Sequence, residues 1–211
     1  MSEESIKKIN TSDIAILLKQ IATLCSFKTI DPIWICGRKK NFGFRPSLEK
    51  NYLPYMTSKW IDYLRNGYNV VIPIVFYNCN ENDTEKHDGI NLSSDFLVFN
   101  HYNILFSYLD ENNVIQIERY EPSTIKYQGD LNEKMESLFK SLFKDIRVNF
   151  NLVSDSGLQN INKDKYLCGH HILFWVLHRV KYGKIESVNI INKNSIEKFK
   201  NFCVKINRMK I

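Results

Sequence analysis

Apolar residues recur along this chain with two periods, and the switches between them lay out the elements. In residues 11–25, TSDIAILLKQIATLC, capping residues precede apolar positions 14, 17, 18, 21 and 24, the spacing of one helical face. PIWIC then predicts a short strand, and GRKKNFGFRPS a basic loop with two glycines. Residues 56–66, around Trp60, predict a second helix that stops at Gly67. The β-branched run NVVIPIVFYN predicts a buried strand, with Pro73 marking it as an edge or a bulge.

Residues 79–95 are polar, contain glycine and show no period, which predicts a long surface loop. FLVFNHYNILFSYLD and NVIQIERYEP are apolar, aromatic-rich runs separated by a short turn at Glu111 and Asn112, the pattern of a β-hairpin. DLNEKMESLFKSLFKDI carries apolar positions 131, 135, 138, 139, 142, 143 and 146 behind Asp130 as a cap, a third amphipathic helix. A strand over RVNFNLVS and two helices, from Gly169 to Tyr182 and from Ser195 to about Met209, complete the chain. This mixture predicts an α+β fold in one domain of 1–211, with a central mixed or antiparallel sheet. Within it, 1–68 form an N-terminal helical, substrate-side part, 69–182 the core, and 183–211 a C-terminal helix.

Composition narrows the class. The 211 residues are 44% hydrophobic and 13% aromatic, in the globular range. A net charge of +6 favours anionic partners, but the basic residues are scattered in short groups such as Arg38 to Lys40. Five cysteines without paired spacing, and no N-terminal signal peptide, read as reduced thiols in a reducing compartment. No apolar stretch reaches the roughly 18 residues of a membrane span. No Walker loop, dinucleotide turn, H-E-x-x-H or G-x-S-x-G is present.

The chemistry concentrates in YLCGHHILFW, residues 166–175. A zinc site would need scattered ligands such as Cys168, His170, His171 and His87, and no metal is assigned. A thiol mechanism needs a nucleophile, a base, a group that orients the base, and oxyanion donors. Cys168 falls at the first turn of its helix, where unpaired N–H groups favour thiolate. Gly169 lets backbone approach a substrate carbonyl, and the Cys168 N–H is a candidate oxyanion donor. With a three-residue hairpin loop from Asp110 to Asn112, His101 falls opposite Glu121 on one face, while Glu118 lies about 10 Å away along the strand. Each residue also has an ordinary reading: Cys168 and His101 as core, Glu121 as a strand end, Gln159 as a loop residue, His170 and His171 as surface or cleft-flanking groups.

The succession NHYNILFSYLD, IERYEPST, SGLQ, YLCGHHILFW resembles the His, Glu/Asp, Gln, Cys order of the adenain-like cysteine peptidases. That superfamily joins adenovirus-type maturation proteases to ubiquitin-like-protein-specific proteases. The resemblance covers about residues 69–182 and matches His101 to the base, Glu121 to the acid, Gln159 to the oxyanion-hole glutamine and Cys168 to the nucleophile. Tyr102 stands where many members have Trp. The resemblance implies a thiol protease cutting Gly-Gly-type sites in a viral precursor or a ubiquitin-like conjugate. It requires no cofactor beyond a DNA or peptide activator of the kind some relatives use, and no membrane. It points to the cytoplasm or nucleus of an infected cell, or to the virion. A catalytically inactive member of the fold, serving as a virion structural or protein-binding module, and a nucleic-acid-binding protein remain the alternatives.

Overall fold

A computed structural model describes residues 9–38, 41–44, 52–78, 101–122, 129–144, 146–154, 167–183 and 193–208. The polar loop 79–95, the basic pair Lys39 and Lys40, and Gln159 lie outside the described residues. The elements run α1 (Thr11–Leu24), β1 (Phe27–Thr29), β2 (Ile33–Arg38), β3 (Asn41–Phe44), α2 (Tyr52–Arg65) and β4 (Asn69–Asn78). They continue with β5 (His101–Leu109), β6 (Ile115–Glu121), α3 (Gly129–Leu142), β7 (Val148–Ser154), α4 (Cys168–Tyr182) and α5 (Lys193–Arg208).

The strands form one mixed sheet in the order β3-β2-β4-β5-β6-β7, with β1 also paired to β4. Strands β1, β2, β4, β6 and β7 run one way, and β3 and β5 run the other. Helices cover both faces. On one, Trp60 of α2, Phe139 of α3 and Phe143 just past the end of α3 pack with Ile72, Ile74, Leu105 and Ile117. On the other, Ile14, Leu17 and Leu18 of α1 and Ile172, Leu173 and Trp175 of α4 pack with Tyr102, Ile104, Phe106 and Tyr120. The α+β class and the central mixed sheet are as the sequence predicts, and the two-period pattern is their cause.

Several elements depart from expectation. The basic stretch after PIWIC is not simply a loop, because Gly37 and Arg38 extend β2 and residues 41–44 return as β3. Leu24 is 87% exposed: α1 ends there, beyond its buried stripe of Ile14, Leu17, Leu18 and Ile21. The cap of α1 is Asn10, which shares a reciprocal capping box with Asp13. Helix α2 starts at Tyr52 with Pro54 in its first turn, where a missing N–H costs nothing. Helix α3 starts at Gly129, one residue before the expected cap.

Pro73 lies neither on an edge nor at a bulge, for β4 is central. Its N-terminal half pairs with β1 through Val71 and its C-terminal half with β2 from Ile74, so residues 72 and 73 fall in a gap between two partners. The Val71 carbonyl accepts from the Ile30 N–H on that side. A residue's N–H and C=O point the same way in a strand, so the nitrogen of Pro73 faces the gap, where no ladder bond is lost.

Helix α4 is buried without interruption from Cys168 to Val176. Trp175 stacks on Tyr120 with centroids 4.9 Å apart and meets Phe106 edge-on. Near its C-terminal end Arg179 donates from Nε and Nη2 to the two oxygens of Glu118 at 2.7 and 3.0 Å, lying over the rings of Phe106 and Tyr108. Gly183, at φ 78, stops the helix and donates to the Arg179 carbonyl.

His170 and His171 are not on the surface. Both are fully buried, and His171 stacks on Phe199 of α5 at 4.1 Å. Burial, followed by the neighbouring His170, pushes His171 down to about 3 from 6.5. The unfolded chain binds this proton below about 6.5 and the folded chain refuses it until about 3. Its stability contribution is therefore complete above pH 6.5 and is lost as pH falls toward 3. The His171→Leu variant is expected to lose less of its Tm than wild type between pH 7.5 and pH 5, measured by circular dichroism. Parallel losses would show that another group sets the acid limit.

Candidate active site

His101 is the first residue of β5 and Glu121 the last of β6, so the antiparallel hairpin brings them to one end of the sheet. That end also carries the carboxyl ends of β2, β4 and β7. The N-terminus of α4, with Cys168 as its first residue, arrives there as well.

The hairpin register differs from expectation in an instructive way. The last paired residues are Leu109 and Ile115, so the loop between them is longer than three residues. Asp110 organises it by accepting from the N–H groups of Asn112 and Val114 and from Gln116 Nε2, with Asn113 at φ 58. The longer loop shifts the pairing by two positions, which puts Asn103 rather than His101 across from Glu121. Because side chains alternate with period two, an even shift leaves His101 and Glu121 on the same face, as diagonal neighbours within reach. His101 Nε2 lies 2.6 Å from Glu121 Oε1. Glu118, on the opposite face, is held by Arg179 instead.

Glu121 is fully buried, and the side chain of His101 is 15% exposed. Nε2 is engaged by the carboxylate, and the ring also lies within hydrogen-bond reach of the Cys168 side chain. Burial is the largest single influence on His101 and lowers its proton affinity. The Glu121 carboxylate, the Cys168 bond and the Glu121 bond together outweigh it and push the imidazole up to about 10 from 6.5. The ring is held as imidazolium at neutral pH, between a carboxylate and a thiol. Cys168 itself is 5% exposed and unpaired with any other cysteine.

Three of the residues singled out from sequence thus meet: Cys168, His101 and Glu121. Gln159 lies outside the described residues. Gly169 is buried, and its missing side chain has a reason in packing. A Cβ there would stand 2.9 Å from Ile9 Cγ1 and 3.0 Å from Ile14 Cδ1. The start of α1 therefore lies directly against the first turn of α4, and Thr11 Oγ1 is hydrogen-bonded to the Tyr102 hydroxyl at 3.0 Å. No motif in the N-terminal residues signals that contact. Two further residues complete the site from behind. Asn103 donates from Nδ2 to Glu121 Oε2 at 2.8 Å, and Arg119 donates from Nη1 to Asn103 Oδ1 at 2.8 Å. Their signal in sequence is faint: polar residues at same-face positions of strands that are otherwise apolar.

Two outcomes follow from this geometry. Gly169→Ala is expected to destabilise the fold by about 1–3 kcal/mol, the range for overpacking a filled site, read as a lower midpoint in urea; an unchanged midpoint would mean that Ile9 moves aside freely. In wild type, alkylation of Cys168 by iodoacetamide should stay fast from pH 6.5 upward, because the imidazolium persists to about 10. In Glu121→Gln, burial acts on His101 without its carboxylate and the ring loses its proton earlier. The alkylation rate at pH 6.5 should then fall about tenfold or more. Equal profiles would show that Glu121 does not support the ring.

Neither a family model nor a curated protein sequence matches this chain. Solved structures do. RavZ, an effector protein of Legionella pneumophila, is 11% identical with a TM-score of 0.59, covering 98% of this chain and 69% of its own. ChlaDub1 from Chlamydia trachomatis is 9% identical with a TM-score of 0.56, covering 98% of this chain and 92% of its own. RavZ is also known in complex with human LC3B. The chain shares the α+β fold of these solved structures.

Proposed function

We propose that this protein is a thiol peptidase that cleaves a peptide or isopeptide bond after a Gly-Gly-type C-terminus, with a ubiquitin-like conjugate as its substrate class. The observation that carries this reading is the continuous chain from Cys168 through His101 to Glu121. A cysteine at the start of a buried helix, bonded to an imidazole that a buried carboxylate holds protonated, is the arrangement acyl transfer needs. A catalytically inactive relative would have no use for that alignment. The fold shared with RavZ and ChlaDub1 supports the class of reaction. The complex of RavZ with LC3B supports a ubiquitin-like protein over a viral precursor.

In this reading His101 holds the proton taken from Cys168. The thiolate sulfur bonds to the carbonyl carbon, and the displaced electron pair moves onto the carbonyl oxygen. The Cys168 N–H, unpaired within the helix because it lies in the first turn, faces the developing oxyanion, and Gln159 is assigned beside it by resemblance. The intermediate collapses, the C–N bond breaks, and His101 gives its proton to the leaving amine. Water then attacks the thioester, returning a proton to His101, and the C–S bond breaks to restore the thiol pair.

Vinyl-sulfone or propargylamide probes on ubiquitin, SUMO and a Gly-Gly peptide test the proposal. Covalent labelling of wild type at Cys168 is expected, with loss of labelling in Cys168→Ala and in His101→Ala. Failure of every probe, together with Cys168 no more reactive to iodoacetamide than the other cysteines, would overturn it.

A further inference from the structure

Behind the Cys168, His101 and Glu121 line lies a second set of groups that acyl transfer does not require by itself. Arg119 is fully buried, as are Asn103 and Glu121. The alternation of β5 and β6 puts all three on one face, and Met135 of α3 lies against them with its sulfur 3.3 Å from Arg119 Nη1. Nη1 donates to Asn103 Oδ1, which turns the amide so that Nδ2 donates to Glu121 Oε2. The same nitrogen is 3.9 Å from Glu121 Oε2.

A buried cation is costly, so its presence asks for a use. During acyl transfer His101 passes between imidazolium and imidazole. While it is imidazolium, Glu121 has a counter-charge at Oε1. Once the proton has left for the amine, a carboxylate with no exposed surface would face a neutral ring. Such a carboxylate tends to take the proton back or to turn away.

We infer that Arg119, acting partly through Asn103, is a positioning residue: a fixed positive charge that keeps Glu121 ionised, with Oε1 aimed at His101, when the imidazole is neutral. Burial pulls the Arg119 guanidinium down to about 10 and Glu121 pushes it back, which leaves it charged throughout the working range. Among the described residues, the charged or titratable groups facing Glu121 include His101 from β5 and Arg119 from β6 itself, with Cys168 of α4 beyond the ring. Oε1 meets the charge that comes and goes, and Oε2 the charge that stays.

The inference rests on the peptidase reading, and its test separates the two. Arg119→Gln keeps a donor for Asn103 but no charge, and Arg119→Lys keeps the charge. The pH dependence of kcat is measured on aminocoumarin amides of ubiquitin, SUMO or a Gly-Gly peptide, whichever wild type turns over. With the cation gone, His101 holds its proton more tightly and serves as base for deacylation only at higher pH. The acidic limb of kcat should move up by about one pH unit, which is a tenfold loss at a fixed pH below the limb. Arg119→Lys should return the limb to its wild-type position. A purely structural role would lower kcat at every pH and leave the limb in place. Should Arg119→Gln not fold, Arg119→Met, apolar and of similar length, is measured in its stead, with the same shift expected. An active wild type whose limb does not move in the neutral variant, or moves equally in Arg119→Lys, overturns the inference. A wild type that turns over none of the amides overturns the peptidase reading instead.

Discussion

The position of α4 along the β5–β6 hairpin is the constraint on which the site depends, and one ion pair fixes it. Apolar burial supplies the energy of the contact, because each fully buried large side chain contributes about 1.5–3 kcal/mol and α4 is buried from Cys168 to Val176. Such packing is adhesive but tolerant of sliding. The bidentate pair of Arg179 and Glu118 is not, and its desolvation cost offsets much of its attraction, so what it contributes is position. From Arg179 back to Cys168 the helix rises about 16 Å. Glu118 faces Phe106 across the hairpin, and the strand from Phe106 to His101 covers about 17 Å. Two rulers with different spacings, joined at one end, bring the thiol and the imidazole together at the other.

The buried charges follow an order that explains why the fold tolerates them. Arg119, Glu121 and His101 alternate in sign toward the thiol of Cys168, and each carboxylate oxygen has a different cation in view. Any one of these charges alone would be expelled or neutralised in so dry a place. As a row they satisfy one another, and the row ends at the side chain of Cys168. The same logic holds in reverse at His171, which has Phe199 instead of an anion and stays neutral.

Much of this was legible in the sequence, for physical reasons that differ by element. The face of α1, the strand β4 and the amphipathic α3 are written in periodicity, and Gly67 and Gly183 mark the stops of α2 and α4 with positive φ. The pairing of His101 with Glu121 was legible although the hairpin loop was not, because parity survives an error of two. Pro73 misleads, since its meaning depends on which neighbour strand ends where. Arg119 and Asn103 stay hidden because a buried polar residue in a strand looks the same whether it ends a network or begins one. Ile9 against Gly169 is a contact between remote segments, and no local pattern announces it.

The matched rulers also bear on how such a chain can vary in length. One residue inserted between Cys168 and Arg179 would move the thiol by only about 1.5 Å but swing it by about 100° away from His101. One residue inserted between His101 and Phe106 would turn the imidazole to the opposite face. The hairpin loop beyond Leu109 and Ile115 lies outside both rulers and is free to lengthen. Related chains should therefore hold the Cys-to-Arg and His-to-Phe intervals constant while their loops drift, which makes those two intervals a better guide to kinship than residue identity.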